Sequence, residues 1–258
     1  MSITSRGLRF GSGFAVVIFS LATFASTCFG QSLVGFEFGV GQNTQQGTFM
    51  CDCGAAFNGG KGMGWDGSAF FELPFAPDLF AGIKAGIDRK NTSITTGPEN
   101  EAGFVETNTG QIDTVVLPMN LTGTLTMSLL SLQPFIQYQV LHSDFFVQVG
   151  ARISDLTSSN FTQTREMTSN SITFSDGTTI SPLVFTNGTH KEEVQYGPLP
   201  SATRLLFSGI LSAGYNFVSG RMSLAPMVTY DYPFSSPQSG GAWKIASLYG
   251  SLAVGFHL

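Results

Sequence analysis

Eight segments of this chain alternate apolar and non-apolar residues with a period of two, and the gaps between them alternate long and short. Residues two apart in a β-strand lie on one face, so each segment offers one apolar face and one face of another kind. In the first segment Val34, Phe36, Phe38 and Val40 share a side, with Gly35, Glu37 and Gly39 opposite. The same division recurs in seven more segments. They lie near Trp65 to Phe75, Leu79 to Asp88, Leu130 to Leu141, Phe145 to Ser154, Arg204 to Phe217, Met222 to Tyr232 and Ala246 to Leu258.

A soluble β-sandwich produces the same pattern with its apolar faces packed together. The second face decides between the two. It holds Gly and Ser beside Gln133, Gln137, Gln139 and Gln148, with Glu37, Glu72, Asp88 and Asp231 nearly balanced by Lys84, Arg152 and Arg204. That inventory suits a narrow, crowded lumen in which buried charges must pair. A tight hairpin at Ser143 sets Gln137 opposite Gln148 and Gln133 opposite Arg152, and on the separate hairpin at Ala76-Pro77-Asp78 Glu72 and Lys84 are diagonal neighbours within reach of one another. The expected fold is therefore all-β: an antiparallel, up-and-down transmembrane β-barrel of eight strands with long extracellular loops.

Composition agrees. Charged residues are 11% of the chain, against a usual quarter, and mean hydropathy is +0.17 with no apolar run long enough for a spanning helix after the N-terminus. Transmembrane barrels hide their hydrophobicity in alternation in this way. Nothing suggests nucleic-acid binding, which needs clustered Lys and Arg.

The connections fit a barrel independently. Ala76-Pro77-Asp78, His142-Ser143-Asp144 and Val218-Ser219-Gly220-Arg221 are rich in turn formers, while residues 41–64, 89–122, 155–202 and 233–242 read as polar loops. Within the longest, the stretch from Ser171 to Ile180 sets Asp176-Gly177 between β-favouring residues and reads as a hairpin above the membrane, not as two further spans. Pro134 and Pro226 fall inside strands, where each removes a ladder hydrogen bond; bulges at those points would accommodate them. Trp65, Tyr230, Tyr232 and Trp243 near the outer strand ends, with Phe75, Tyr138, Phe145 and Phe217 near the turns, form two expected aromatic girdles.

Residues 1–30 read as a signal peptide, leaving residues 31–258 as the barrel. Arg6 and Arg9 precede the apolar run from Phe14 to Phe24, and the small residues that follow place cleavage between Gly30 and Gln31. Losing the two arginines takes the formal charge from −5 to −7. Lipid attachment at Cys28 is disfavoured, because Ala25 stands where a lipoprotein signal has Leu.

The stretch from Leu224 to Tyr232 (LAPMVTYDY), then Ala242-Trp243-Lys244-Ile245-Ala246-Ser247-Leu248 and a final Gly255-Phe256-His257-Leu258, resembles the Bacteroidota- and Chlorobiota-type outer-membrane β-barrel family, small and porin-like. The small-residue strand from Phe207 to Phe217 shares the resemblance. It implies location and fold: a bacterial outer membrane, with outer-membrane lipid and the barrel-assembly machinery as partners, and no catalytic motif.

Few residues suggest chemistry. His142-Ser143-Asp144 holds the residue types of a hydrolase triad, but three consecutive turn residues cannot converge as nucleophile, base and orienter must. His190 and His257 lie far apart in sequence. Cys51-Asp52-Cys53 leaves three fates open: a strained disulfide, free or intermolecular thiols, or two thiolates with Asp52 on a soft metal, short of zinc's four ligands. Gly59-Gly60-Lys61-Gly62 lacks the spacing of a phosphate loop. The Asn91, Asn120, Asn160 and Asn187 glycosylation patterns read as by-products of Asn- and Thr-rich segments. The expected function is non-enzymatic, a structural or surface-interaction role through the outer loops, without catalytic, cofactor or metal site. A small channel for hydrophilic solutes, and more remotely a lipid-modifying enzyme using His190, are the alternatives.

Overall fold

The computed structural model describes residues 32–50, 56–106, 110–174 and 177–258. The expected signal peptide and the Cys51-Asp52-Cys53 cluster lie outside these residues. Eight long strands form the body: β1 (Leu33–Gln46), β2 (Lys61–Ala76), β3 (Leu79–Glu106), β4 (Ile112–Gln139), β5 (Phe145–Met167), β6 (Leu205–Tyr215), β7 (Met222–Pro233) and β8 (Lys244–His257). Each pairs antiparallel with the next, and β1 returns to β8 in an unbroken ladder from Leu33↔His257 to Gln46↔Lys244. The sheet is a closed eight-stranded up-and-down barrel. No helix of the described residues is long and apolar enough to cross a membrane.

The alternation read from the sequence sets the outer wall. Phe36, Phe38, Val40, Ile83, Ile87, Ile136, Val149, Leu211, Val228 and Leu252 are all exposed, Phe36 to 70%. Such a continuous apolar wall has no place in water and matches a hydrocarbon layer. Inward positions between them are buried, Glu37, Lys84, Arg152 and Asp231 among them. Glycines on this inner side admit large rings: a Cβ at Gly82 would meet the Phe135 ring at 2.3 Å, and one at Gly214 the Phe146 ring at 2.7 Å.

The tight connections at Ala76-Pro77-Asp78, Val140–His142 and Ser219-Gly220 lie on one rim together with the start of β1 and the end of β8. The long connections differ from expectation. Residues 89–122 are largely strand, since β3 continues to Glu106 and β4 starts at Ile112; likewise β5 runs to Met167, and Lys191–Gly197 forms a strand paired with it. The reason lies in the phase of the alternation. At lipid depth the apolar residues face out, as Leu130 does. Beyond it Leu121, Leu125, Met127 and Leu129 face in, and Thr122, Thr124 and Thr126 face out. The pattern persists with its meaning reversed, so a rule of apolar-outward does not detect it.

Neither in-strand proline produces a bulge. Pro134 keeps its register with Ile83, and the β4–β5 ladder simply lapses between Leu132↔Ile153 and Phe135↔Gly150 without shifting. Pro226 faces a similar lapse, between Met227↔Gly214 and Leu224↔Phe217, where Asn216 interrupts the sixth strand. Both prolines lie where the ladder to one neighbouring strand is interrupted. True shifts occur elsewhere. In β5, Leu156 pairs with Leu129 and Ser158 with Ser128, leaving Thr157 as an extra residue, and β3 shifts between Thr96 and Glu99.

Above the barrel, β3, β4, β5 and Lys191–Gly197 continue as a four-stranded sheet. Its inner face has a core of Val115, Leu117, Met119 and Leu183, against which Ile172, Phe174 and Phe185 pack. The hairpin expected around Gly177 is present, with Ile172↔Ile180 and Thr173↔Thr179 paired. It closes onto this core and adds no spanning strands.

Candidate functional site

Two places in this fold have the character of a site: the lumen and the outer sheet. The lumen is layered. At the short-turn end Leu33, Phe70, Phe146, Ala225, Met227 and Ala253 form an apolar floor. The middle layer is charged, with Glu37, Asp66, Glu72, Asp88 and Asp231 facing Lys84, Lys90 and Arg152, all buried. At the other mouth Phe49 and Phe57, from the paired segments Thr48–Met50 and Ala56–Asn58, pack with Leu125, Phe161, Trp243 and Ile245. Phe49 meets the Phe161 and Trp243 rings edge-on at centroid distances of 5.0 and 5.2 Å. Gln45 Nε2 donates to the Phe57 carbonyl at 3.0 Å and ties this plug to β1.

The charged layer centres on Arg152. Its Nη1 lies 3.3 Å from Asp88 Oδ2 and 3.2 Å from Asp231 Oδ2, and Nε and Nη2 donate to Gln133 Oε1 at 3.1 and 3.0 Å. Lys90 Nζ reaches Asp231 at 2.8 Å, and the Tyr249 hydroxyl donates to Asp88 Oδ1 at 2.9 Å. A second pair, Lys84 with Glu37 at 2.5 Å, lies nearer the floor, with Lys84 Nζ also 5.2 Å above the Phe135 ring. Five carboxylates share three cations: Arg152 lies within reach of Asp66, Asp88 and Asp231, and Lys90 of Asp88 and Asp231, while Lys84 pairs with Glu37. A buried charge without a partner costs several kcal/mol (order of magnitude), and this arrangement fixes the strands around one arginine.

Most of the expected network is present: Glu37, Lys84, Asp88, Arg152 and Asp231 belong to it, and Gln137 faces Gln148 as the register requires. Lys84 is diagonal to Glu72 as expected, but its ion pair is with Glu37. Two expectations are corrected. Arg204 is not in the lumen; it is exposed on the rim and pairs with Asp155 at 2.8 Å. Trp243 is not in a girdle; it is 1% exposed and fills the plug, whereas Trp65, Tyr230 and Tyr232 do face outward. Lys90, by contrast, was hidden in a segment read as loop.

The His142-Ser143-Asp144 turn points three ways. His142 Nδ1 pairs with Asp78, Ser143 Oγ donates to the Val140 carbonyl at 2.6 Å, and Asp144 accepts from the Tyr215 hydroxyl at 3.1 Å. His190 offers its carbonyl to the Met167 N–H at 2.9 Å. Among the described residues no cluster of three or more His, Cys, Asp or Glu could hold a metal.

The outer sheet is the second candidate. Arg165 on its inner face bridges Glu192 at 2.7 Å and Glu101 at 3.3 Å, linking the two sides of the sheet across β4. At the tip the outward side chains of Phe104, Ile112 and Val116 are exposed by 80, 70 and 63%. Adjacent pairing of Phe104↔Thr114, Glu106↔Ile112 and Ala102↔Val116 gathers them into one apolar patch.

No family model matches this chain, and no curated protein matches it. Solved structures that align with it, remotely, include outer-membrane barrels. Neisserial surface protein A aligns at 11% identity and a TM-score of 0.34, over 86% of this chain and 96% of that one. Ail, the attachment invasion locus protein of Yersinia pestis, aligns at 10% and 0.32, over 88% and 99%. The outer membrane protease OmpT from Escherichia coli aligns at 8% and 0.33, over 88% and 95%. Likenesses this distant carry no argument about activity. The class rests on the chain's own geometry: a closed barrel with an apolar outer wall and a charged lumen is a transmembrane β-barrel.

Proposed function

We propose that this is a non-enzymatic barrel of a bacterial outer membrane that acts through its outer sheet and not through its lumen. One observation carries the reading: the lumen is filled and capped by apolar layers at both ends, while three adjacent strands run far beyond what a membrane requires. A span takes about 9–11 residues, and β3 and β4 have 28 each. Kinship with the Bacteroidota- and Chlorobiota-type barrels is part of the same proposal and rests on the residues of β6 to β8. Export by cleavage between Gly30 and Gln31 belongs to the proposal too, on the N-terminal residues, and intact-mass measurement of the mature protein checks it.

The short-turn rim then faces the periplasm and the extended sheet the outside. Protease added to intact cells is expected to cut between residues 168 and 190 and to spare Ser219-Gly220; the reverse pattern would invert the topology. Reconstituted protein is expected to show no steady conductance in planar bilayers, and a stable current would put the channel reading first. Loss of a lipid-modifying activity on His190→Ala would instead support the enzyme.

A further inference from the structure

The wall between the apolar belt and the sheet's tip has an unusual surface. From Ser128 to Asn120 every outward side chain of β4 is Ser, Thr or Asn, and the same holds from Asn91 to Thr95 on β3 and from Ser158 to Thr164 on β5. These residues align in rows. Ser93, Thr124 and Thr162 are cross-strand partners, as are Thr95, Thr122 and Thr164; Thr95 and Thr122 share a hydroxyl hydrogen bond of 2.9 Å, and Ser93 and Thr124 one of 3.2 Å. A solvated protein surface usually has about a quarter to a third of its residues charged. The rows through Thr126, Thr124 and Thr122 have none across three strands, with Arg89 opposite Ser128 below them and Glu166 opposite Asn120 above.

We propose that this band is a contact surface for the saccharide headgroups of phosphorylated glycolipid in the leaflet around the barrel. The inference deepens the reading above, since it requires the extended sheet to face outward. Continuity selects the occupant: the band lies on the same strands and the same face as the lipid-contacting belt, immediately beyond it. The eight steps from Ser128 to Asn120 on β4 span about 27 Å along the strand at ~3.4 Å per residue, which is about 20 Å of height at a barrel tilt near 40°. That is the depth a layer of several sugars fills. The order of chemistry also matches. Exposed Arg89 lies at the foot of the band, opposite Ser128, where lipid phosphates sit, and exposed Lys61 of β2 flanks the band's side, opposite Ser93. Neutral hydroxyls and Thr methyls lie above Arg89, where sugar hydroxyls and C–H faces need matching donors, acceptors and apolar patches.

The test uses the full chain with Cys28, Cys51 and Cys53 replaced by Ser and a single reporter, Thr124→Cys, in nanodiscs of phospholipid with or without lipopolysaccharide. Labelling by a membrane-impermeant maleimide is expected to slow about tenfold with lipopolysaccharide, the change expected of a site covered roughly nine-tenths of the time. A Thr114→Cys reporter at the tip is expected to label equally fast in both. Adding Thr122→Asp and Thr162→Asp is expected to restore fast labelling at Thr124, because the carboxylates repel lipid phosphates and break the neutral surface. Equal rates at Thr124 in both discs would overturn the proposal. So would slowing that survives the two aspartates, which is crowding alone, or equal slowing by soluble dextran over phospholipid, which would assign the band to a free polysaccharide. Labelling of Thr114→Cys on intact cells reports orientation separately: its failure would sink the outward-facing reading and not the surface chemistry.

Discussion

The two halves of the barrel wall obey different rules. On one side β6, β7 and β8 have 11, 12 and 14 residues, about what a bilayer asks of a strand, and they stop at the rim. On the other, β3, β4 and β5 have 28, 28 and 23. The short half keeps lipid outside along its whole length, around an interior that holds Asp231 between the apolar floor and the plug. The long half begins that way and then inverts, with hydroxyls outside and Leu121, Leu125 and Phe161 inside. The difference shows that a period of two records only which residues share a face; the surrounding medium decides which face is apolar.

Two devices make the inversion workable. The additional residue Thr157 flips the inward set of β5 from the even positions Arg152 and Ser154 to the odd positions Phe161 and Gln163, and its hydroxyl donates to the Ser128 carbonyl at 2.9 Å. The shift between Thr96 and Glu99 does the same for β3. The free edges are also guarded against further pairing: β3 has Pro98 and Glu99 there, and Lys191–Gly197 has charges and an irregularity between Glu193 and Gln195.

The largest expected effect separates the halves at their shared centre. Arg152 of β5 reaches across the lumen to Asp231 of β7 and to Asp88 of β3. Arg152→Ala leaves those carboxylates short of a cation and is expected to cost about 3–5 kcal/mol. Urea titration of the refolded protein in detergent, followed by tryptophan fluorescence, measures it. A loss near zero would mean that the two halves are held by ladder hydrogen bonds alone.

Next is the plug, which belongs to the long half's inverted interior. Phe49→Ala removes a ring 5% exposed that touches Phe57, Phe161 and Trp243. The expected cost is about 3 kcal/mol, together with brief current flickers in planar bilayers while wild type stays silent. Full stability with a steady current would show that the charged layer does not seal the lumen.

Smaller still is the tip. Phe104→Ser with Ile112→Ser and Val116→Ser alters outward residues that support no core, so the urea midpoint is expected to stay within about 0.5 kcal/mol of wild type. A large loss of stability would place the tip in a core of its own.

The extent to which the sequence disclosed all this follows from the same comparison. The short half was legible because every strand in it has one medium on each side from end to end, so Met222 to Tyr232 and Ala246 to Leu258 alternate in a single phase. Residues 89–122 were not, because their threonines resemble a polar loop unless the phase is allowed to reverse. Lys90 was missed for that reason. Trp243 was misplaced for another: an aromatic near a strand end suits a girdle or a plug equally well, and only the packing of Phe49 against it distinguishes them. In the network, pair identities followed from register wherever both partners lay on one hairpin, as with Gln137 and Gln148. They did not where side chains cross the lumen, as Lys84 does toward Glu37 and Arg152 toward Asp231, because crossing depends on barrel closure and shear.

The smallest expected effect concerns the other arginine that alternation placed inside. Arg204 precedes β6 by one residue, and its parity matches the lumen-facing Ser208 and Ser212. Yet its side chain is 82% exposed, with Nε donating to Asp155 Oδ1 at 2.8 Å and Nη2 to Oδ2 at 3.3 Å. At that height the wall of the short half has ended, so parity no longer points into anything. Both members of the pair sit in water, where Coulomb attraction is screened and the ordering of two side chains offsets what remains. Arg204→Ala is therefore expected to leave the urea midpoint unchanged at physiological salt, with a slight fall detectable only at low ionic strength. The same substitution at Arg152 is expected to be large and insensitive to salt. If Arg204→Ala instead destabilised the barrel as Arg152→Ala does, the short half would have to extend further outward than its ladder shows, and the asymmetry between the halves would fail.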